Sequence, residues 1–189
     1  MRKTYKLAVS SLSLLLMFPL AACCGFGRIA FLFQCFAQFV SLFPGIPGDY
    51  LRVAYYVMTL RHCSLYSRIS FGSFFAQSSV AVGRGVYIGA YCVIGSCQIG
   101  ERTQIATHVQ IFGGGRQHGR DAQGRILGAD EQTFQPVSVG ADCWIGASAI
   151  IMADIGSGTT IGAGSVVASP IPPNVVAFGN PARVYEQGA

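Results

Sequence analysis

Between Val82 and Val167 an aliphatic residue recurs about every six positions, and this period restricts the fold more than any other feature of the chain. The leading residues are Val82, Ile88, Ile94, Ile99, Ile105 and Ile111, then, after an interruption, Val139, Ile145, Ile151, Ile155, Ile161 and Val167. Within each run the step is six, with one step of five and one of four. Glycine follows the aliphatic in eight of the twelve cases. A small or medium residue usually stands four positions after it, as at Val86, Cys92, Thr103, Val109, Cys143, Ala149, Thr159 and Ser165. Six fits neither the helical period nor the two-residue alternation of an ordinary strand. It fits a solenoid of short flat strands, three to a coil, each turning one aliphatic inward. Glycine or alanine beside the aliphatic lets the chain round a corner. At about eighteen residues per coil the pattern predicts four to five coils. A β-sandwich would need turn signals every ~8–12 residues and leaves the period unexplained.

The interruption reads "VQIFGGGRQHGRDAQGRIL", Val109 to Leu127, and the loop spans 112–136. A solenoid corner can absorb such an insertion without harm to the core, and loops longer than about 12 residues in compact domains are usually functional. This one carries His118, with Arg116, Arg120 and Asp121 close in sequence. Histidine titrates near cellular pH and suits proton transfer. His108, in "IATHVQ", occupies neither the aliphatic nor the small position, so its side chain should point outward. His118 is the preferred functional histidine and His108 the alternative. A three-histidine zinc site is not expected, because His62 precedes the repeat and nothing downstream completes a set with His108 and His118.

At 189 residues the chain suits one domain plus an appendage. Residues 1–68 hold seven Lys/Arg against one Asp, whereas 69–189 hold six Arg against seven acids. The basic excess therefore belongs to the apolar N-terminal part. That distribution favours a membrane surface and argues against nucleic acid, because no basic stripe crosses the repeat. The seven cysteines form no CxxC, and Cys92 and Cys143 fall on the small position of the repeat, as buried hydrophobes would.

Residues 1–48 form a hydrophobic segment, uncharged from Leu7 to Gly27 and again from Ile29 to Gly48. One reading is a secretory signal with a lipoprotein box, "LAAC", before Cys23. The other is a retained membrane element, mainly helical, long enough to span or to lie in the interface. Pro19, Pro44 and Pro47 argue against one long straight helix. Residues 49–68 place Leu51, Ala54, Tyr55 and Met58 at helical spacing and predict a short connecting amphipathic helix.

The stretch "CWIGASAIIMADIGSGTTIGAGSVV…IPPNVVAFGNPARV" resembles the hexapeptide-repeat acyltransferases over roughly residues 69–185. The likeness is to the O-acetyltransferases of polysaccharide and lipopolysaccharide biosynthesis, which include members with a hydrophobic N-terminal segment and a stretch like Pro44 to Tyr56. The resemblance implies an all-β fold, a left-handed parallel β-helix, acting as a homotrimer with active sites between neighbours. It implies acetyl-CoA as co-substrate, no metal, and His118 as general base. It also implies a cofactor groove along the second half. Trp144, Gly146 and Ala147 would lie near the thioester arm, Ala163 and Ala168 would line the pantetheine, and Arg183 would meet the nucleotide phosphates. Ser169 stands where the family often carries lysine.

The expected function is therefore acetyl-CoA-dependent O-acetylation of a sugar hydroxyl on a glycan or polysaccharide precursor. An N-acetyltransferase acting on an amino-sugar nucleotide shares every motif. A non-catalytic β-helix scaffold, exported as a lipoprotein cleaved before Cys23, is the third reading. Acetyl-CoA is cytosolic, which favours a retained anchor on the cytoplasmic face of the bacterial inner membrane.

Overall fold

Most strands of this fold are two residues long, too short to hold together except by stacking on copies of themselves. The computed structural model describes residues 2–113, 118–129 and 135–185, and the side chains of residues 2–5, 118 and 129 fall outside that description. Three helices come first: α1 (Arg2–Cys23), α2 (Ala30–Ser41) and α3 (Gly45–Thr59). The first coil is β1 (His62–Cys63), β2 (Arg68–Ile69) and β3 (Phe74–Phe75); the second is β4 (Ala81–Val82), β5 (Tyr87–Ile88) and β6 (Val93–Ile94). The third is β7 (Cys97–Ile99), β8 (Gln104–Ile105) and β9 (Gln110–Ile111). A hairpin follows, β10 (His118–Arg120) and β11 (Ile126–Ala129). The fourth coil is β12 (Val137–Val139), β13 (Trp144–Ile145) and β14 (Ile150–Ile151). The fifth enters at the bridge residue Ile155 and continues as β15 (Thr160–Ile161) and β16 (Val166–Val167). The sixth enters at Ile171 and continues as β17 (Val176–Gly179), on which β18 (Ala182–Tyr185) folds back.

The strands stack as three parallel ladders. The first face runs β1-β4-β7-β12 and extends through Ile155 and Ile171. The second runs β2-β5-β8-β13-β15-β17, and the third β3-β6-β9-β14-β16. The aliphatics of the sequence pattern meet in register: Ile69, Ile88, Ile105, Ile145, Ile161 and Ala177 stack up the second face, all fully buried. Burying one such side chain stabilises by about 1.5–3 kcal/mol, and the stack repeats that gain on three faces. The solenoid has six coils rather than four or five, and the hexapeptide period fits a left-handed β-helix. The extra coil lies at the N-terminal end. Its inward residues are Cys63, Ile69 and Phe75, which no glycine follows, so the period is masked there.

The small positions have a physical role of their own. They are buried, and their polar atoms join adjacent coils. Ser73 Oγ donates to the Gly89 carbonyl at 2.6 Å, Thr103 Oγ1 to Gly140 at 2.7 Å and Thr159 Oγ1 to Pro172 at 2.8 Å. Cys92 Sγ donates to Ala106 at 3.1 Å and Cys143 Sγ to Gly156 at 3.2 Å. Cys92 and Cys143 are buried as expected.

The helices close the first coil. The connecting helix begins at Gly45 and ends at Thr59, so residues 62–68 already belong to the solenoid. Arg52, fully buried, fastens it: Nε donates to the Ile69 carbonyl at 2.8 Å, and Nη1 to Phe43 at 2.7 Å and Ser41 at 3.1 Å. Its charge is balanced by Asp49 at 2.7 Å, which also accepts from Arg68 at 2.7 Å. The Phe75 amide donates to Tyr56 Oη, Tyr55 Oη donates to the Phe33 carbonyl, and Ser78 Oγ donates to Gly27. Pro19 lies inside α1 and Pro44 caps α3, and the segment is broken into separate helices rather than one long straight one, as expected.

Candidate active site

Phe112 and Gly113 lead the chain out of the third coil at the edge where the third face turns into the first. A cavity of about 210 Å³ opens there, lined by Ala76, Gln77, Val93, Gly95, Phe112 and Gly113 among others. Gln77 Oε1 is buried without a hydrogen-bond partner, the one such side-chain atom among the described residues. A buried acceptor without a donor costs about 1–3 kcal/mol, a cost that the O–H or N–H of a ligand would remove. Gly95 keeps the space open: a β-carbon there would stand 2.9 Å from the Ile111 carbonyl oxygen and 3.5 Å from Gln77 Oε1. Sequence reasoning missed Gln77, which precedes the first recognised repeat. Its only signal is its place two residues after Phe75.

The interruption itself contains the hairpin of β10 and β11, with His118 opposite Ala129 and Arg120 opposite Ile126. Asp121 fixes its turn, since Oδ1 accepts from the amides of Gln123 and Arg125, both at 2.9 Å. Arg120 Nη1 donates to the Gly124 carbonyl at 2.6 Å. Arg120 and Asp121, grouped with His118 by sequence, thus build the hairpin tip. The backbone of His118 lies in β10; its side chain, and all of Arg116, lie outside the described residues.

The expected cofactor residues fall mainly on a different edge, where the second face turns into the third. Gly146 and Ala147 round it in the fourth coil, Gly162 and Ala163 in the fifth, and Phe178 in the sixth. The coils are tightly stacked: a β-carbon on Gly146 would stand 2.5 Å from the Ala163 nitrogen, and the Gly164 amide donates to the Ala147 carbonyl at 2.8 Å. Arg183 pairs with Phe178 across β17 and β18 and is exposed. Trp144 stands just before this edge on the outer side of the second face, between Gln104 and Thr160, and is 58% exposed. More than half of its surface is therefore left uncovered among the described residues. Gly146, Ala147, Ala163 and Arg183 are brought to one edge with Trp144 beside them. Ala168 is not, because it follows β16 and sits on the edge between the third and first faces.

His108 lies on the edge between the second and third faces, in the third coil. It adopts the left-handed conformation, φ +60°, as do Tyr91 and Ser148 in the coils on either side. Its amide donates to Ala90, and the Ser148 amide donates to Thr107. Its exposed ring stacks on Tyr91 at 5.3 Å, with 15° between planes. Histidine tolerates the left-handed region better than most residues, so the corner geometry by itself accounts for this side chain. His62 is exposed on β1 in the first coil, well removed along the solenoid from the coil of His108.

Burial pushes the thiols of Cys92, Cys97 and Cys143 upward, and that of Cys63 up to about 12. None of these four is a thiolate at neutral pH, so none is a poised nucleophile.

A family model described as the hexapeptide repeat of succinyl-transferase matches residues 136–169. The chain is 32% identical over 115 residues to the galactoside O-acetyltransferase of Escherichia coli strain K12, covering 58% of this chain and 55% of that protein. The chain thus spans about half the length of the curated relatives it matches. Its fold is similar to that of a hexapeptide-repeat containing acetyltransferase from Vibrio cholerae, with TM-score 0.68, 20% identity, and coverage of 86% of this chain and 90% of the other. It is also similar to a galactoside acetyltransferase solved in complex with coenzyme A, with TM-score 0.62, 22% identity, and coverage of 80% and 77%. At these identities the two structures share the fold.

Proposed function

We propose, from the premise that this chain belongs to the hexapeptide-repeat acyltransferase family, that it transfers an acetyl group from acetyl-CoA to a hydroxyl of a sugar or glycan precursor. The observation that carries this reading is the edge on which Ala147, Ala163 and Arg183 follow one another up three coils, with Trp144 at its foot. Small residues there leave room for an extended arm to lie against the coils, and a guanidinium at the far end suits phosphate. A relative that is a galactoside O-acetyltransferase, and a similar fold solved with coenzyme A, support the same substrate pair.

In this mechanism His118 takes the proton of the acceptor hydroxyl as its oxygen attacks the thioester carbonyl. Backbone N–H groups hold the tetrahedral oxyanion. Collapse expels the thiolate of coenzyme A, which takes the proton back from the imidazolium. Gln77, beside the root of the hairpin, accepts a hydrogen bond from the acceptor and orients it. The enzyme works as a homotrimer, the hairpin of one copy covering the cofactor edge of the next. It is retained at the cytoplasmic face of the bacterial inner membrane. Packing of α1 against α3 favours retention, since cleavage before Cys23 would remove the buried Ser13, Met17 and Ala21 from that contact.

The test is coenzyme A release by the full chain with a panel of sugars, followed by mass analysis of the product. A base-labile ester supports the reading, and a base-stable amide replaces it with N-acetylation. His118→Ala should lower kcat by about 10²–10⁴ while acetyl-CoA binding stays within about threefold. If His108→Ala is inactive and His118→Ala normal, the base is His108, which already lies on the cofactor edge. Arg183→Ala should raise the KM for acetyl-CoA by roughly tenfold, as loss of a charged hydrogen bond does. Absence of saturable acetyl-CoA binding would leave the scaffold reading.

A further inference from the structure

We infer that α1 and α2 form a single bilayer-binding surface that lies in the plane of an anionic membrane and does not cross it. This deepens the membrane part of the reading above and rests on that reading only for the side of the membrane involved.

The length and composition of α1 allow a crossing: Lys6–Cys23 is apolar enough, and only 17% of it is buried. Its packing argues otherwise. Ser13, Met17, Ala21 and Cys24 recur every three or four residues and are buried. This stripe faces α3, and α3 is fastened to the first coil by Arg52. The docked part therefore runs from Ser13 onward. A crossing by Lys6–Cys23 would have to take in this docked part, since residues 6–12 alone rise about 10 Å at 1.5 Å per residue, against a hydrocarbon core of ~30 Å. A crossing would have to pull α1 off α3.

What remains exposed is strongly apolar and lies on two helices. On α1 the stripe away from α3 presents Leu7, Leu12, Leu15, Leu16 and Phe18, with Leu15 72% exposed. On α2, whose Phe33, Ala37 and Val40 face inward, the outer residues are Phe31, Cys35, Phe39 and Leu42, with Phe31 74% exposed. Phe26 and Ile29 join the two stripes at the turn and are also exposed. Monomers in water rarely keep so many large apolar side chains together, and such patches mark contact with a membrane or another molecule.

The charges identify the partner. Arg2, Lys3 and Lys6 stand at one end of α1 and exposed Arg28 at the other, and no acid precedes Asp49. Asp49 is itself committed to Arg52 and Arg68. An apolar stripe with cations at both ends fits a helix lying among anionic headgroups, about 5–10 Å deep. A crossing helix would put its two cationic ends on opposite sides of the bilayer. A second copy of the chain would bring the same cations together.

The test uses the full chain on phosphatidylglycerol–phosphatidylcholine vesicles. In a Trp144→Phe background, Leu15→Trp and Phe31→Trp should each be quenched more by bromine placed high on the acyl chain than by bromine near its end. Affinity for pure phosphatidylcholine should be weaker by about tenfold or more. Leu15→Asp with Phe31→Asp, both at exposed sites, should keep the circular dichroism of the parent and release the chain from vesicles. Strongest quenching of Leu15→Trp by deep bromine would mean that α1 crosses. Protein-only assemblies without quenching would mean that the helices pair with a second copy. Recovery of chains lacking residues 1–22 from cell membranes would also overturn the inference. None of these readouts depends on acetyl transfer, so the two readings fail separately.

Discussion

At position 77 one amide oxygen decides between two accounts of the same cavity. If Gln77 serves only structure, its lone buried acceptor is a cost, and Gln77→Leu should leave stability unchanged or raise it. If it orients the acceptor, the same change should raise the acceptor KM by about tenfold and leave the KM for acetyl-CoA unmoved. Steady-state kinetics with each substrate varied separates the two. The cysteines give a second test at this scale. Cys23 and Cys35 are exposed and the other five are buried, so a thiol reagent should modify two sites quickly in the native chain and seven after denaturation. The buried thiols also carry a pH signature. Their folded pKa values are raised, to about 12 for Cys63, so the stability they contribute is full below the ordinary thiol value near 9. That stability is lost as pH rises from about 9 toward 12, because only the unfolded chain releases the protons. The melting temperature should fall over that window, and Cys63→Ala should flatten part of the fall.

Among the elements, Arg52 joins the helices to the solenoid more than any other side chain. It serves the carbonyls of Ile69, Phe43 and Ser41 and pairs with Asp49. Burial lowers its pKa, and the hydrogen bond to Asp49 and the charge of that carboxylate oppose the shift. Arg52→Met would leave Asp49 with Arg68 as its ion-pair partner and take a charged donor from the carbonyls of Ile69, Phe43 and Ser41, at a cost of about 3–5 kcal/mol. The loss should appear as separate melting of the helical part, followed by the amides of residues 2–59 in hydrogen exchange. This element also marks the limit of what the sequence disclosed. The solenoid was legible because its period is enforced by stacking identical positions, and each aliphatic from Val82 onward reports that constraint independently. The first coil was not, because Phe75 and Cys63 fill its interior against helices rather than against a preceding coil. The prolines foretold that the N-terminal segment would not form one straight helix, and the breaks fall at 24–29 and 42–44. The edge between the second and third faces was legible as a set of small residues, Gly146, Ala147 and Ala163. The cavity was not, since Ala76–Gln77, Gly95 and Gly113 come from three different coils and share no motif.

For the whole molecule, the hairpin root and the edge proposed for the cofactor stand on different edges of the same solenoid, so one copy alone does not bring them together. If the hairpin of one copy covers the edge of the next, mixed trimers of His118→Ala and Arg183→Ala chains should exceed the summed activity of the separate variants at low acetyl-CoA. No gain would place the site within one copy. A different consequence follows from the two ends of the solenoid. A parallel ladder stops at a row of unsatisfied amides and carbonyls that another molecule's strand can extend. Here α3 and α2 lie across the first coil, and β18 runs back antiparallel along β17 on the second face, beyond Pro172 and Pro173. Lengthwise growth into fibrils is thereby opposed at the first coil and, on the second face, at the last, while the stretch between them stays modular. Whole coils could be gained or lost there, resizing the groove while both end covers stay intact.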